Sequence, residues 1–423
     1  MKEDASRRFK FLTPPEEVVN KVLSQLSIRV EVETVKLDLA IDRICAEDIY
    51  AHRDIPPYNR AVLDGYATLY SSIEKSSTLS PSRLKIKGKT EVDHPPPRKE
   101  LEIGDAWEVS TGAALPPNAE VVIPYEYTKR TNDEVLVFKE FPPGYGISRK
   151  GEDLKKGELI IRKGEVIKPW HIALLASQGL SSVKVYRKIK ASIVSIGSEL
   201  VEPGSELRVG LIYDTTRYLI KTYLIKMGLD IKDLGIISDN INEIRETLSK
   251  ALNESTIVFT IGGTSIGKKD YTIRAVKELK PTLLIHGFAL KPGRPGAIAV
   301  FNTDKMVMCL SGFPVAALAE VEAIFKPIYM KILGITKPLN PKLKAKAARK
   351  IPSEPGIMEI YRVIVCSKDK EYFVYPLKLT GSGIISTLIK ANALLIIPPD
   401  VTGYSKGDIV EVELIGEVSE CRE

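Results

Sequence analysis

Cysteine and histidine are scarce, with four of each in 423 residues. Cys45, Cys309, Cys366 and Cys421 are widely separated, as are His52, His94, His171 and His286, so no zinc-binding spacing is present. The same scatter offers no disulfide framework, and reduced thiols in a cytoplasm are expected. A metal in this chain would need oxygen ligands, which favours Mg²⁺ over Zn²⁺. No apolar run is long enough for a membrane span, and the charged start MKEDASRRFKF is not followed by the apolar stretch of a signal peptide. A soluble, cytoplasmic protein with no membrane partner is therefore expected. A strong excess of one charge is also missing. The formal charge is +7, with 44% hydrophobic and 27% charged residues, an ordinary globular composition. The basic run KLKAKAARK at 342–350 has no interleaved aromatics, so no nucleic-acid partner is expected.

What is present divides into several stretches, as this length requires. TPPEEVVNKVLSQL from Thr13 reads as a helix capped by Thr13, with Val18, Val19, Val22, Leu23 and Leu26 on one face. DLAIDRICAEDI at 38–49 reads as a second helix. From about 55 to 145, short apolar runs alternate with Pro, Gly and Asn-Asp turns, a β signature. Between 188 and 335, strands such as KASIVSIG and STIVFTIGG alternate with helices such as NEIRETLSKALN. That alternation predicts a mostly parallel sheet covered on both faces. After 337 only short strands remain, as in a small β-barrel or sandwich.

TIVFTIGGTSIGKKDYT at 256–272 contains Gly262-x-x-x-x-Gly267-Lys268, nearly a phosphate-cradling P-loop. Such a loop needs Ser or Thr next, to hold Mg²⁺ through a hydroxyl, and Lys269 cannot do so. The wider setting is more informative. Ligands of parallel α/β sheets bind outside the carboxyl ends of the strands. Three strand ends here carry Glu199, Asp239 and Asp270, a further segment carries Lys291 and Arg294, and the last ends in LSGFP. Glycine turns and cations suit an oxyanion, and carboxylates beside them suit Mg²⁺ or proton transfer. Taken singly, Asp270 and Asp239 are equally readable as caps of the helices that follow, and Glu199 as a surface residue.

The sequence resembles a known family, the molybdopterin molybdenumtransferases (the MoeA and gephyrin E-domain group), along nearly the whole chain. LDGYA at 63–67, VSTGAALPPNAEVVIPYE at 109–126, SRKGEDLKKGE, SIGSEL, IGGTSIGKKDYT, LKPGRPG and LTGSGIISTLIKANALLIIP match its motifs in order. The resemblance implies a multidomain fold: residues 1–52 and 145–182 as a split α+β N-terminal domain, 53–144 as a mostly β insertion, 183–335 as a MogA-like α/β domain and 336–423 as a small C-terminal β-barrel. It also implies an elongated homodimer whose active sites are shared between subunits. The implied activity is Mg²⁺-dependent insertion of molybdate, or tungstate, into the dithiolene of adenylylated molybdopterin, with release of AMP.

Carried over by position, the resemblance makes Asp64, Thr111, Glu199, Asp239 and Asp270 functional, with Asp239 and Asp270 as Mg²⁺ or phosphate partners and Asp64 supplied by the partner subunit. Lys291 and Arg294 would hold molybdate or phosphate. Gly262, Gly263 and Ser265 would cradle the pterin phosphate, and Gly312 and Pro314 would line the substrate site. Some positions differ from the family pattern. Leu-Pro-Gly-Asn-Pro reads LSGFP here, with Ser311 and Phe313. Ala61 replaces a Ser, Arg294 a Lys, and Lys268 and Lys269 stand where an acidic residue or Gly is common. These differences leave open a catalytically inactive molybdopterin-binding or scaffold homologue. A nucleoside-triphosphatase using the 262–268 loop is the third alternative.

Overall fold

A computed structural model describes residues 12–264, 270–337, 339–377 and 381–421. Within it the chain packs into four regions, the first of them built from two segments on either side of the second. The helix Pro15–Gln25 begins with Pro at its first turn, and no side chain caps it. Thr13 is therefore not the cap expected from its sequence. Its N–H instead donates to Gly287 O, and its carbonyl accepts from Ala289 N–H, as a bridge to Phe288. Val18, Val19, Val22 and Leu26 are buried as the sequence pattern predicts. They share a core with Ile193, Phe259, Phe325 and Tyr329 of the α/β region.

The second expected helix, 38–49, does not form. Only Leu37–Leu39 makes a short 3₁₀ turn, and Asp42 sits at φ 58°. The backbone N–H groups of Asp42, Cys45 and Ala46 donate to Ile167, Glu165 and Lys184 carbonyls, so long-range pairing takes the donors a helix would use. Val32–Lys36 pairs antiparallel with Ser182–Tyr186, and the helix Pro169–Ser177 covers a small core that includes Cys45, Ile167 and Val185.

The β region between about 60 and 140 is a six-stranded sheet. Its order is Val121–Pro124, Gly65–Thr68, Asp105–Val109, Ser82–Thr90, Glu134–Val137, Thr128–Thr131. The α/β region is another six-stranded sheet, ordered Asp230–Ile237, Lys190–Ile196, Ile257–Ile261, Lys305–Leu310, Ala297–Phe301, Leu283–His286. Its first four strands are parallel, and its last two run antiparallel to their neighbours. The strands Lys190–Ile196 and Ile257–Ile261 are buried almost throughout, as central strands covered by helices must be. Near the switch in direction the chain forms one long helical run, Pro314–Glu320, a π segment Val321–Phe325 and Lys326–Ile332. Pro327 lacks the N–H that an α-helix would bond to Ala323, which suits a widened turn there.

The C-terminal region closes into a small barrel. Met358–Lys368, Glu371–Pro376, Lys342–Ala347, Ile409–Leu414 and Ala393–Ile397 pair in a ring that returns to Met358–Lys368. The basic run at 342–350 supplies one barrel strand, and Lys342 and Lys346 pair with Glu411 and Glu371 across its outer face. One expectation about cysteine is corrected here. Cys366 and Cys421 form a disulfide across 55 residues, because Ser419–Glu420 pairs with Cys366–Ser367 on the barrel edge. Cys45 and Cys309 are free and buried. No helix among the described residues is long and apolar enough to cross a membrane.

Candidate active site

Strand geometry makes the cleft. Four parallel strands end on one rim, and the loops leaving them wall a cleft of about 1350 Å³. Glu199, Asp239, Gly262, Gly263, Lys291, Arg294, Gly312 and Pro314 all line it, so eight of the residues singled out from the sequence converge. Residues 353–357 and 381–385 of the C-terminal region add Glu354, Ser382, Gly383 and Ile385 to the opposite wall.

Each lining group is held by its local backbone. Gly262 and Gly263 follow the strand Ile257–Ile261 at φ 89° and 66°. A Cβ on Gly262 would lie 2.5 Å from Ile196 O, and one on Gly263 2.1 Å from Thr272 Oγ1, so only glycine fits this turn. Ser265 lies outside the described residues, as does the 265–269 part of the P-loop-like sequence. Asp239 Oδ2 accepts the Ser198 N–H at 3.1 Å, which ties the ends of two neighbouring strands together. The helix after it is capped by Asn240, whose Oδ1 accepts from Asn242 and Glu243 N–H groups, so Asp239 is not used as a cap. Glu199 is exposed and folds back so that its carboxylate lies over Gly197. Thr216 Oγ1 donates to Gly312 O at 2.7 Å, which anchors the LSGFP turn to the helix Thr216–Lys226.

The two cations of LKPGRPG are not free. Lys291 Nζ donates to Glu354 Oε1 at 2.7 Å and Glu359 Oε1 at 3.2 Å, and Arg294 donates to Glu354 Oε2 at 2.8 Å. Burial pulls the Lys291 amine down, but the hydrogen bonds and charges of Glu354 and Glu359 outweigh it and hold the amine above its ordinary range. The bonds to Lys291, with Arg294 adding to them, hold Glu354 below the usual carboxylate range. Sequence reasoning did not single out Glu354, since its role appears only when the barrel packs beside the α/β sheet. Phe313, 61% exposed, stands on the rim with its ring against Gly383.

Three expected residues stand apart from this lining. Asp270 caps the helix Tyr271–Glu278 through its Oδ1, which accepts the Ile273 N–H at 3.3 Å. Burial raises its carboxyl, and burial pulls the neighbouring His286 down. Asp64 and Thr111 belong to the β region, where both are exposed and the Thr111 N–H donates to Asp64 Oδ1 at 2.6 Å. They form a small polar site of their own, outside the cleft lining.

Mg²⁺ is usually held by one or two carboxylates together with substrate phosphates and water. Asp239 and Glu199 give the cleft two such carboxylates. The one set of three close acidic or histidine ligands among the described residues, Glu91, Asp93 and His94, is exposed and is not part of the cleft.

Comparison with known proteins agrees along the chain. Residues 13–179 match the MoeA N-terminal region (domain I and II), 192–331 a probable molybdopterin binding domain, and 344–415 the MoeA C-terminal region (domain IV). A putative molybdopterin biosynthesis protein of Methanocaldococcus jannaschii is 33% identical over 414 residues, covering 96% of this chain and 98% of the relative. A molybdopterin molybdenumtransferase of Haemophilus influenzae is 32% identical over 400 residues, covering 93% of this chain and 96% of the relative. The crystal structure of a molybdopterin biosynthesis moeA protein from Pyrococcus horikoshii OT3 superposes with a TM-score of 0.79 at 32% identity, covering 96% of this chain and all of that one. With every region matched in order and relatives aligned almost end to end, the chain belongs to the MoeA family.

Proposed function

We propose that the protein is a molybdopterin molybdenumtransferase that inserts molybdate, or tungstate, into the dithiolene of adenylylated molybdopterin and releases AMP. The observation that carries this reading is the cleft itself. Four carboxylates (Glu199, Asp214, Asp239 and Glu354), two cations and a glycine turn face one space at the carboxyl ends of parallel strands. Relatives in this family are named molybdopterin molybdenumtransferases.

The chemistry follows from charge. The substrate pyrophosphate and molybdate are both anions, and each needs cations and N–H donors. Lys291 and Arg294 would exchange the Glu354 carboxylate for substrate oxygens. The turn at Gly262 and Gly263 admits a phosphate close to the backbone. Asp239 and Glu199 are the cleft carboxylates that would hold Mg²⁺, which would supply charge stabilisation to a bound pyrophosphate. Asp270 is half-buried and uses Oδ1 for its helix cap, and we propose it as a further Mg²⁺ or phosphate partner through its other oxygen. Asp64 and Thr111 lie outside the cleft of their own chain. That supports a homodimer in which the same loop of a second copy completes the site, and we propose that assembly, acting in the cytoplasm.

A catalytically inactive molybdopterin-binding homologue is the second reading. It is favoured by the engagement of both cleft cations with Glu354 and by Phe313 at the rim. The test is incubation of purified protein with adenylylated molybdopterin, molybdate and Mg²⁺. AMP formation supports the transferase. Substrate bound by folded protein without AMP release would leave the binding homologue.

A further inference from the structure

Glu320 is a carboxylic acid with no exposed surface and, among the described residues, no ion pair. It ends the helix Pro314–Glu320, a segment otherwise made of Pro, Val, Ala and Leu. Both of its oxygens turn toward the cleft floor. Oε2 accepts the Ser311 N–H at 2.8 Å, and Oε1 makes a close hydrogen bond with the Ser311 hydroxyl. Its Oε1 also lies 2.9 Å from where a Cβ of Gly296 would be, so the carboxyl sits beneath both LSGFP and LKPGRPG. Ser311 lines the cleft, and it stands where the family motif has a proline without hydroxyl or N–H.

A serine hydroxyl has one hydrogen to give and two lone pairs. Facing an ionised Glu320, it must donate that hydrogen downward and offers the cleft only lone pairs, which repel an anion. Facing a neutral Glu320, it accepts the carboxyl proton and its own hydrogen turns up into the cleft. We propose that Ser311 is an oxyanion-contacting hydroxyl of this cleft and that neutral Glu320 is the positioning residue that turns its hydrogen outward.

Burial pushes the Glu320 carboxyl up to about 8, against the pull of its two bonds to Ser311. The groups around it stay in one state between pH 7 and 9.5. Burial pushes the Cys309 thiol, in the strand Lys305–Leu310 and two residues before Ser311, up to about 12. Lys291 is held above its ordinary range. Burial keeps His286 below its ordinary range, and therefore neutral.

The inference rests on the reading of the cleft as an oxyanion site, and molybdate is the probe. Its affinity would be measured by calorimetry on full-length protein from pH 7 to 9.5. Wild type is expected to bind at pH 7 and to weaken about tenfold as pH passes 8. Glu320→Gln can accept the Ser311 N–H and donate to its hydroxyl, as the neutral acid does. It should match wild type at pH 7 and keep that affinity at 9.5. Ser311→Ala should bind several-fold more weakly at pH 7 and show a smaller loss at high pH, since only the direct repulsion by ionised Glu320 remains. Equal binding by Ser311→Ala and wild type, or a step retained in Glu320→Gln, would overturn the inference and leave the oxyanion site standing. No binding by wild type at any pH would remove both. If Glu320→Gln does not fold, Ser311→Ala still decides.

Discussion

Replacing Glu320 by Gln should make the folded protein more stable as pH rises, the reverse of most losses of a buried hydrogen-bonded group. Burial holds the carboxyl neutral to about 8, whereas in the unfolded chain it ionises near 4.5. Between those values the unfolded chain has released a proton that the folded chain retains, so the contribution of Glu320 to stability is greatest below pH 4.5 and falls as pH climbs to about 8. The cost is ~1.4 kcal/mol per pH unit, or roughly 5 kcal/mol at pH 8 as an upper limit. Gln does not titrate and keeps the same shape and bonds. Urea denaturation at pH 5, 6.5 and 8 measures the difference. The two proteins should lie within about 1 kcal/mol at pH 5, and the variant should be the more stable by a margin that widens to pH 8. A margin independent of pH would mean that Glu320 is ionised in the fold.

Three further outcomes follow from the geometry. Cys421→Ser, or reductant, should lower the stability of the C-terminal barrel by roughly 4 kcal/mol, the entropy of closing a loop of this length. Unchanged thermal melting with and without dithiothreitol would argue against the bond. Glu354→Gln should raise molybdate affinity several-fold, because Lys291 and Arg294 lose the anion they hold now. Weaker binding would make Glu354 part of the oxyanion site. Asp270→Ala should cost about 1 kcal/mol through loss of the cap, while Asp270→Asn, an equally good cap, should cost little. Equal losses in both, read from urea curves, would require another role for the charge.

Much of the cleft is legible in the sequence because it depends on local rules. Strand-helix alternation fixes which segments end on one rim, and the rim then collects Glu199, Asp239, Gly262, Gly263 and Lys291 without knowledge of contacts. What is not legible depends on distant packing. Glu354 comes from another region of the chain, and the Cys366–Cys421 bond depends on a two-residue edge strand. The segment 38–49 has the composition of a helix, yet its N–H groups find partners more than a hundred residues away. Asp239 and Asn240 are adjacent and both fit a cap, and only geometry assigns the cap to Asn240. Glu320 did leave a signal, a lone acid in the apolar run PVAALAE before the helix turns, but its contact with Ser311 is a matter of three dimensions.

The central claim is tested most directly by AMP release. Purified protein is given adenylylated molybdopterin, molybdate and Mg²⁺, alongside an Asp239→Asn variant and a blank. The account predicts AMP formation by wild type that requires Mg²⁺ and falls at least a hundredfold in Asp239→Asn, about 2.7 kcal/mol of transition-state stabilisation. No AMP above the blank from folded wild type that binds the substrate would contradict it.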